Sequence, residues 1–331
     1  MGFHENIASD EAAHFEVFAA ELAEIQQRRL AKGGGVGRAL HFKEHLGVIG
    51  ELVVNAAEAA RAGLFAANGR TYQVYVRFSN GSSMRQPDKR PDVRGFALKL
   101  VGVPGRKIIP GLENELTQDF LFINEPSIPF RDPVEFLTFQ RAAKDGPGKL
   151  LPRLIAGFGL RRTLAILKRV IQSPKVVSYA THTFHTGAPI SFGSSAAKLA
   201  LFPVTPSAAP AATGDDYLRK DLIARLQTGP LVWALRAQLF QDDASTPIED
   251  TSVTWSGPWF DLATLTLPKQ DPNTPRGQEI SALVEAMSFD PWHALEEHRP
   301  LGAIMRARAV AYRSSVLARK AAAEPKSVVG F

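Results

Sequence analysis

Tyr312 stands four residues after Arg308 in the stretch 303–319, which contains neither Gly nor Pro and is rich in Ala and Arg. Such residues hold helical dihedrals at little cost, so the stretch reads as a helix. The spacing puts Arg308 and Tyr312 on one face, and Arg319, two turns beyond the tyrosine, falls on roughly the same face. A guanidinium beside a phenol favours the phenolate, drawing down a pKa that is ordinarily about 10. A phenolate is a hard, charged oxygen donor for ferric iron, and tyrosinate is one of the axial ligands that proteins give haem iron. Alone, the segment reads equally as a solvated basic helix carrying one amphipathic tyrosine.

A second centre of chemistry is His41-Phe-Lys-Glu-His45, which fits the H-x-x-E-H pattern of inverted zinc peptidases. On a helix the two imidazoles would share a face and could hold zinc beside Glu44, with a third ligand from Glu113, Glu115 or Glu125. The setting is poor for a helix, because a glycine run at 33–37 precedes it and an apolar, β-branched run at 48–54 follows. The other reading has His41 working alone as an acid–base group, with Arg38 three residues before it. The glycine run itself is no phosphate cradle: it lacks the Lys-Ser/Thr of a P-loop and follows a helix rather than a strand.

Composition narrows the chemistry further. The 331 residues contain no cysteine, which excludes disulfides, iron–sulfur clusters, thiolate-ligated haem and cysteine nucleophiles. Only four methionines are present, so little easily oxidised sulfur is exposed to a peroxide. A net charge of +6 spread along the chain suits an anionic cofactor or substrate without implying nucleic acid. There is no apolar run of membrane-spanning length and no secretory pattern at the N-terminus, so a cytoplasmic protein without stable membrane insertion is expected.

The elements that must position these residues can be read in order. Residues 9–31 make an amphipathic helix, with Ser9 as N-cap and Phe15, Phe18, Leu22 and Ile25 at helical spacing. Alternation marks strands at 71–79 and 95–101, joined by the polar, Pro-containing loop 80–94, and a further strand at 118–123. Pro133 opens a helix through 143. Residues 149–172 form a basic amphipathic helical region interrupted around Gly157–Gly159, suited to covering a sheet or touching anionic lipid. Strands are expected at 176–185, 196–204, 231–241 and 259–267, with a low-complexity connection at 205–214, a helix at 215–227, and a Pro-rich stretch before the last helix. Strands clustered early, helices later and no βαβ alternation give an α+β fold with an antiparallel sheet or barrel.

Seven segments in fixed order resemble the haem catalases. Arg38-x-x-His41 is followed by Val76-Arg-Phe-Ser79 and by Arg94-Gly-Phe-Ala-Leu-Lys99. Asn124-Glu-Pro-Ser-Ile-Pro-Phe-Arg-Asp-Pro-Val-Glu-Phe136 resembles the catalase segment Asn-x-Pro-x-Phe-Phe-x-Arg-Asp-x-x-x-Phe. Tyr179-Ala-Thr-His-Thr-Phe184 and Asp216-Tyr-Leu-Arg-Lys-Asp-Leu222 resemble two more, and Arg308-x-x-x-Tyr312 comes last. The chain looks like the small catalase-related haem peroxidases. That resemblance implies an antiparallel eight-stranded β-barrel with flanking helices, an N-terminal helix and arm over 1–37, and a haem-binding barrel with C-terminal ligand helices over 38–331.

The same resemblance implies a role for each matching residue. Tyr312 would be the proximal iron ligand of haem b and Arg308 would hold it as phenolate. His41 would be the distal base, Ser79 its hydrogen-bond partner, and Asn124 a donor to bound peroxide. Arg38, Arg77 and Arg319 would pair with the haem propionates, for which forked guanidinium donors are suited. Phe78 and Phe136 would wall the pocket; His182 and His185, by their place in an expected strand, are read as structural. The implied reaction is reduction of hydrogen peroxide or an organic hydroperoxide with a small organic electron donor. Isomerisation or dehydration of a fatty-acid hydroperoxide, as in allene oxide synthases, is the first alternative. Leu40 stands before His41, where those enzymes resemble Thr, and so argues mildly against it. A zinc peptidase using His41, Glu44 and His45 is the second alternative, and a protein that holds haem for transport or sensing without turnover a third. Neither a tetramer nor NADPH carries over to so short a chain, which leaves room for a homodimer.

Overall fold

The computed structural model describes residues 2–31, 38–144, 147–171, 175–204 and 213–330. The glycine run at 33–37, the Ile25 side chain and most of the low-complexity connection lie outside those residues. The strands are β1 (Glu44–Val54), β2 (Thr71–Asn80), β3 (Arg94–Val101), β4 (Thr117–Ile123), β5 (Phe184–His185), β6 (Ile190–Phe192), β7 (Ser195–Pro203), β8 (Leu231–Leu239) and β9 (Trp259–Leu267). Antiparallel pairing runs β1-β2-β3-β4-β5-β7-β8-β9 and returns to β1, closing an eight-stranded barrel, with β6 added outside the ring on β7. Closure removes exposed sheet edges, which is why a short β5 suffices to link β4 to β7.

Period-two alternation decides what lies inside. Val74, Val76 and Phe78 of β2, Phe96, Leu98 and Leu100 of β3, and Phe120 and Phe122 of β4 join one interior cluster with Trp233, Tyr179 and Phe184. Their neighbours in sequence, Arg77, Ser79, Gly95, Ala97, Leu121 and Ile123, therefore lie on the outer face.

Helices surround the barrel: α1 (Glu11–Ala31), α2 (Pro133–Lys144), α3 (Pro147–Ile171), α4 (Tyr217–Thr228), whose Leu218, Leu222 and Leu226 join the interior cluster, α5 (Pro275–Ala286) and α6 (Ala303–Ala318). Phe15, Phe18 and Leu22 of α1 pack with Leu137 of α2 and with Ala307 and Ala311 of α6. Arg306 on α6 fastens this N-terminal helix through ion pairs to Glu11 at 2.7 Å and to Glu5 at 2.5 Å. α3 is broken at Gly159, whose φ of 73° and ψ of 163° leave the helix, as the sequence anticipates.

Two expectations need correction. The stretch read as a strand over 176–185 is mostly irregular: Ser178 caps a 3-10 turn at Tyr179–Thr181, and only Phe184–His185 pair. The stretch read as Pro-rich connection contains α5, started by Thr274, whose Oγ1 accepts from the Gly277 amide at 3.0 Å, with Pro275 in the first turn. α5 lies so close to β1 that a Cβ on Gly47 would fall 2.6 Å from the Cβ of Val284.

Beyond α6 the chain returns to the barrel through Glu324, which accepts from Lys99 at 2.7 Å, Thr117 at 2.8 Å and Ser288 at 2.7 Å. Lys99 also pairs with Asp119 at 2.7 Å, and all three charges are buried. Removing the cation would leave two buried carboxylates facing each other. Lys99→Met is therefore expected to lower unfolding free energy by about 3–5 kcal/mol, read by denaturant titration. A change below about 1 kcal/mol would show that the carboxylates find other partners.

Candidate active site

His41 sits in the bend before β1 with φ at 56°, a left-handed backbone that a residue with a Cβ adopts at a cost on the order of 1–3 kcal/mol. Four contacts over-determine it. The His41 amide donates to Gly81 O at 3.0 Å and the Phe42 amide to Ser82 O at 3.1 Å. Arg77 Nη2 donates to His41 O at 3.0 Å, and His41 Nδ1 meets Ser79 Oγ at 3.1 Å. Ser79 is in turn fixed by the buried Tyr179, whose hydroxyl donates to Ser79 O at 2.9 Å. The imidazole lies across β3 at Gly95, where a Cβ would fall 2.6 Å from His41 Nδ1. Only glycine leaves that ring its place.

Burial, followed by the charges of Arg77, Arg308 and Arg38, pushes the His41 pKa down to about 3. The ring is thus neutral near pH 7. With Nδ1 engaged by Ser79, Nε2 is the nitrogen turned to other partners.

α6 supplies the second group. Arg308 Nη2 donates to Tyr312 Oη at 2.7 Å while its guanidinium carbon lies 4.9 Å from the centre of the same ring. Helical spacing brings the pair together as the sequence suggests. Arg308 Nη1 also reaches Met305 Sδ at 3.3 Å, within the same helix.

Three further arginines converge at the end of α5. Arg38 Nη1 donates to Glu285 Oε1 at 2.8 Å and Nη2 to Met287 O at 2.7 Å. Arg77 Nε donates to Glu285 Oε2 at 2.7 Å. Arg319 donates to Ala286 O at 3.2 Å and to Met287 O. Burial and the mutual repulsion of these cations lower the proton affinity of Arg38 and Arg319, with Glu285 working against the shift. Nearby, burial and the Glu285 charge push Glu44 up to about 7. The cluster therefore carries more positive charge than its acidic neighbours cancel, which favours an anionic ligand.

One cavity joins these groups. It opens to the surface and encloses about 250 Å³, close to the lower end of small-molecule pockets at about 300–1,000 Å³. Arg38, His41, Arg77, Ser79, Phe136, Arg308, Tyr312 and Arg319 all line it. Most of the remaining wall is apolar, including Phe18 and Leu22 of α1, Leu121 and Ile123 of β4, and Phe289. Phe136 stacks within the wall, 5.6 Å from Phe18 and 5.5 Å from Phe130 between ring centres.

Asn124 follows the wall residue Ile123 and is buried. Its Oδ1 accepts from the Arg94 amide at 2.7 Å, whereas its Nδ2 is a buried donor without a partner among the described residues. Phe78 is not in the wall. Alternation turns it into the barrel, where it packs 4.5 Å from Phe96 and 4.7 Å from Tyr179, so the pocket role implied for it is corrected. His182 approaches Asn124 O at 3.4 Å, and His185 packs against Phe202 and Trp259.

The zinc reading fails on geometry. The segment His41–His45 is a bend running into a strand, so the two imidazoles do not share a helical face. His41 meets Ser79, while the buried His45 meets Asn80 Oδ1 at 2.6 Å. Among the described residues no cluster of three His, Asp or Glu could hold a metal ion.

Sequence reasoning missed the roles of Gly95, Glu285, Phe289 and the α1 side chains Phe18 and Leu22. Gly95 lies inside a recognised motif, and helical spacing marked Phe18 and Leu22 as one face. No local signal points to Glu285, whose partners are more than 200 residues away in sequence.

An eight-stranded antiparallel barrel with this outer-face cavity has the catalase fold. Over 88% of this chain and 61% of the other, it superposes on a fungal catalase with a TM-score of 0.66 at 19% identity. The chain thus spans less than two thirds of that catalase's length. The catalase family model matches residues 36–158. A catalase-related peroxidase of Mycolicibacterium paratuberculosis is 28% identical over 268 residues, 76% of this chain and 79% of that protein. An allene oxide synthase-lipoxygenase protein of Plexaura homomalla is 33% identical over 102 residues, 26% of this chain and 9% of that protein. The chain is thus similar to the catalases over residues 36–158 in sequence and over most of its length in fold.

A protonation test follows from the His41 environment. NMR titration of its ring should show no protonation midpoint between about pH 5 and 8, the window in which an unperturbed imidazole titrates. A midpoint near roughly 6.5 would mean that burial and the three arginines do not act on it.

Proposed function

We propose that this chain is a haem-dependent peroxidase of the catalase type, reducing hydrogen peroxide or an organic hydroperoxide with electrons from a small organic donor. The observation that carries the reading is one cavity shared by the Arg308–Tyr312 pair, the His41–Ser79 pair and a cluster of arginines. The catalase-related peroxidase among its relatives supports the same class of reaction.

The residues fit haem b by their chemistry. An apolar cavity wall suits a large flat ring, and Arg38, Arg77 and Arg319 suit its two carboxylates. Tyr312 offers a phenol oxygen as iron ligand, and Arg308 Nη2 donates to that oxygen and holds it in place. When bound, haem b supplies the redox-active iron at which a peroxide can be reduced.

The chain's own groups then handle the protons. Neutral His41 can take a proton from the near oxygen of a peroxide and return it to the far oxygen, so that the O–O bond breaks with water as leaving group, or an alcohol where the peroxide is organic. Ser79 holds the ring by its Nδ1 edge and keeps Nε2 directed to that task. Asn124 Nδ2, a donor with no partner among the described residues, can hold a peroxide oxygen. The apolar wall keeps other water away and strengthens these polar contacts. Two electrons and two protons from the donor complete the balance of one peroxide reduced to two waters, or to water and an alcohol.

The match to the allene oxide synthase-lipoxygenase protein supports a second reading, rearrangement of a fatty-acid hydroperoxide without an electron donor. Kinetics separate the two. With haem bound, oxidation of a phenolic donor should exceed oxygen release, and His41→Ala should lower turnover by about 10²–10⁴-fold while haem stays bound. Oxygen release dominating at every peroxide concentration would contradict the peroxidase reading. Lipid hydroperoxide consumed equally with and without donor would replace it by the second.

A further inference from the structure

α3 has a surface that the cavity does not explain. Over Pro147–Ile171 it carries Lys149, Arg153, Arg161, Arg162, Lys168 and Arg169 and no Asp or Glu, so this one helix holds a charge equal to the +6 of the whole chain. Large apolar side chains also face outward from it: Leu151 is 47% exposed, Leu160 58%, Leu164 54% and Ile171 80%.

The two kinds of residue share a face. After the break at Gly159, positions 160, 164, 168 and 171 follow one another at helical spacing, placing Leu160, Leu164, Lys168 and Ile171 in one stripe with Arg161 beside it. The inward side is closed by the buried Leu154, Thr163 and Ile166. Two of the basic residues are spent on the fold. Arg162 pairs with Glu135 of α2 at 2.5 Å, and Arg169 donates to Ser252 O and to Ser127. Lys149, Arg161 and Lys168 stand exposed around the apolar stripe.

We propose that the outer face of α3 docks on an anionic phospholipid surface. A membrane interface satisfies both halves of the pattern: leucines enter the acyl boundary while cations meet lipid phosphates. Nucleic acid would attract the charges but leave the leucines and Ile171 in water. A second copy of this face would bring like charges together. α3 packs on α2 through Gly157, where a Cβ would fall 2.5 Å from Thr138. α2 in turn contributes Pro133 and Phe136 to the cavity, so the docked face lies one helix layer from it.

Sedimentation of the full-length protein with vesicles tests this without reference to haem or turnover. The protein should bind vesicles of phosphatidylcholine mixed equally with phosphatidylglycerol, remain in solution with phosphatidylcholine alone, and be released by high salt. Arg161→Ser with Lys168→Ser should weaken binding roughly fivefold per cation removed. Leu160→Ser with Leu164→Ser should weaken it by at least a comparable factor, with circular dichroism unchanged in both variants because the positions are exposed. No binding to anionic vesicles, binding untouched by both pairs, or retention on double-stranded DNA with none on vesicles would each overturn the proposal.

Discussion

The architecture turns on the alternation of β2, β3 and β4. A strand presents successive side chains to opposite faces, so one barrel wall supplies both an apolar interior and a polar exterior. Val76 and Phe78 build the interior, while Arg77 and Ser79 between and after them reach the cavity. The same constraint leaves Gly95 directly beneath the His41 ring and sends Lys99 into its buried pairing with Asp119 and Glu324. A one-residue slip of β2 would exchange the two sets, placing arginine in the core and phenylalanine in the cavity.

Electrostatics then divides the cavity into distinct working ends. One end gathers Arg38, Arg77 and Arg319 around the carboxylate of Glu285 and the last carbonyls of α5, giving an excess of positive charge. Near the other polar groups, the same guanidiniums act on His41, whose buried ring answers by staying neutral. Positive charge therefore acts in two places, around Glu285 and, after burial, in keeping the His41 ring neutral. Arg308 adds a third through its contact with Tyr312. The helices α1, α2 and α6 bring the apolar surface that keeps these charges out of bulk water.

What could be read from the sequence follows from range. Arg308 and Tyr312 are legible because one helical turn joins them, and strands β2, β3, β8 and β9 because alternation or a bounded apolar run marks them. Phe78 was misplaced because a four-residue motif suggests a common destination, whereas a strand sends its neighbours apart. α5 was hidden by prolines on its flank, although Thr274 and Pro275 form a recognisable start. The short β5 has too few residues to announce itself, and Tyr179, beside it, is held by a hydrogen bond to Ser79 across the fold. Glu285 is set by tertiary contact alone.

The most direct test is a haem titration followed by absorption spectroscopy, comparing the protein with its Tyr312→Phe variant. The account predicts that the protein takes up one equivalent of haem with a high-spin ferric spectrum that the variant loses or alters, because the phenol oxygen is the proposed ligand. Failure of the protein to bind haem, or an identical spectrum from the variant, would contradict the assignment of Tyr312 as the iron ligand.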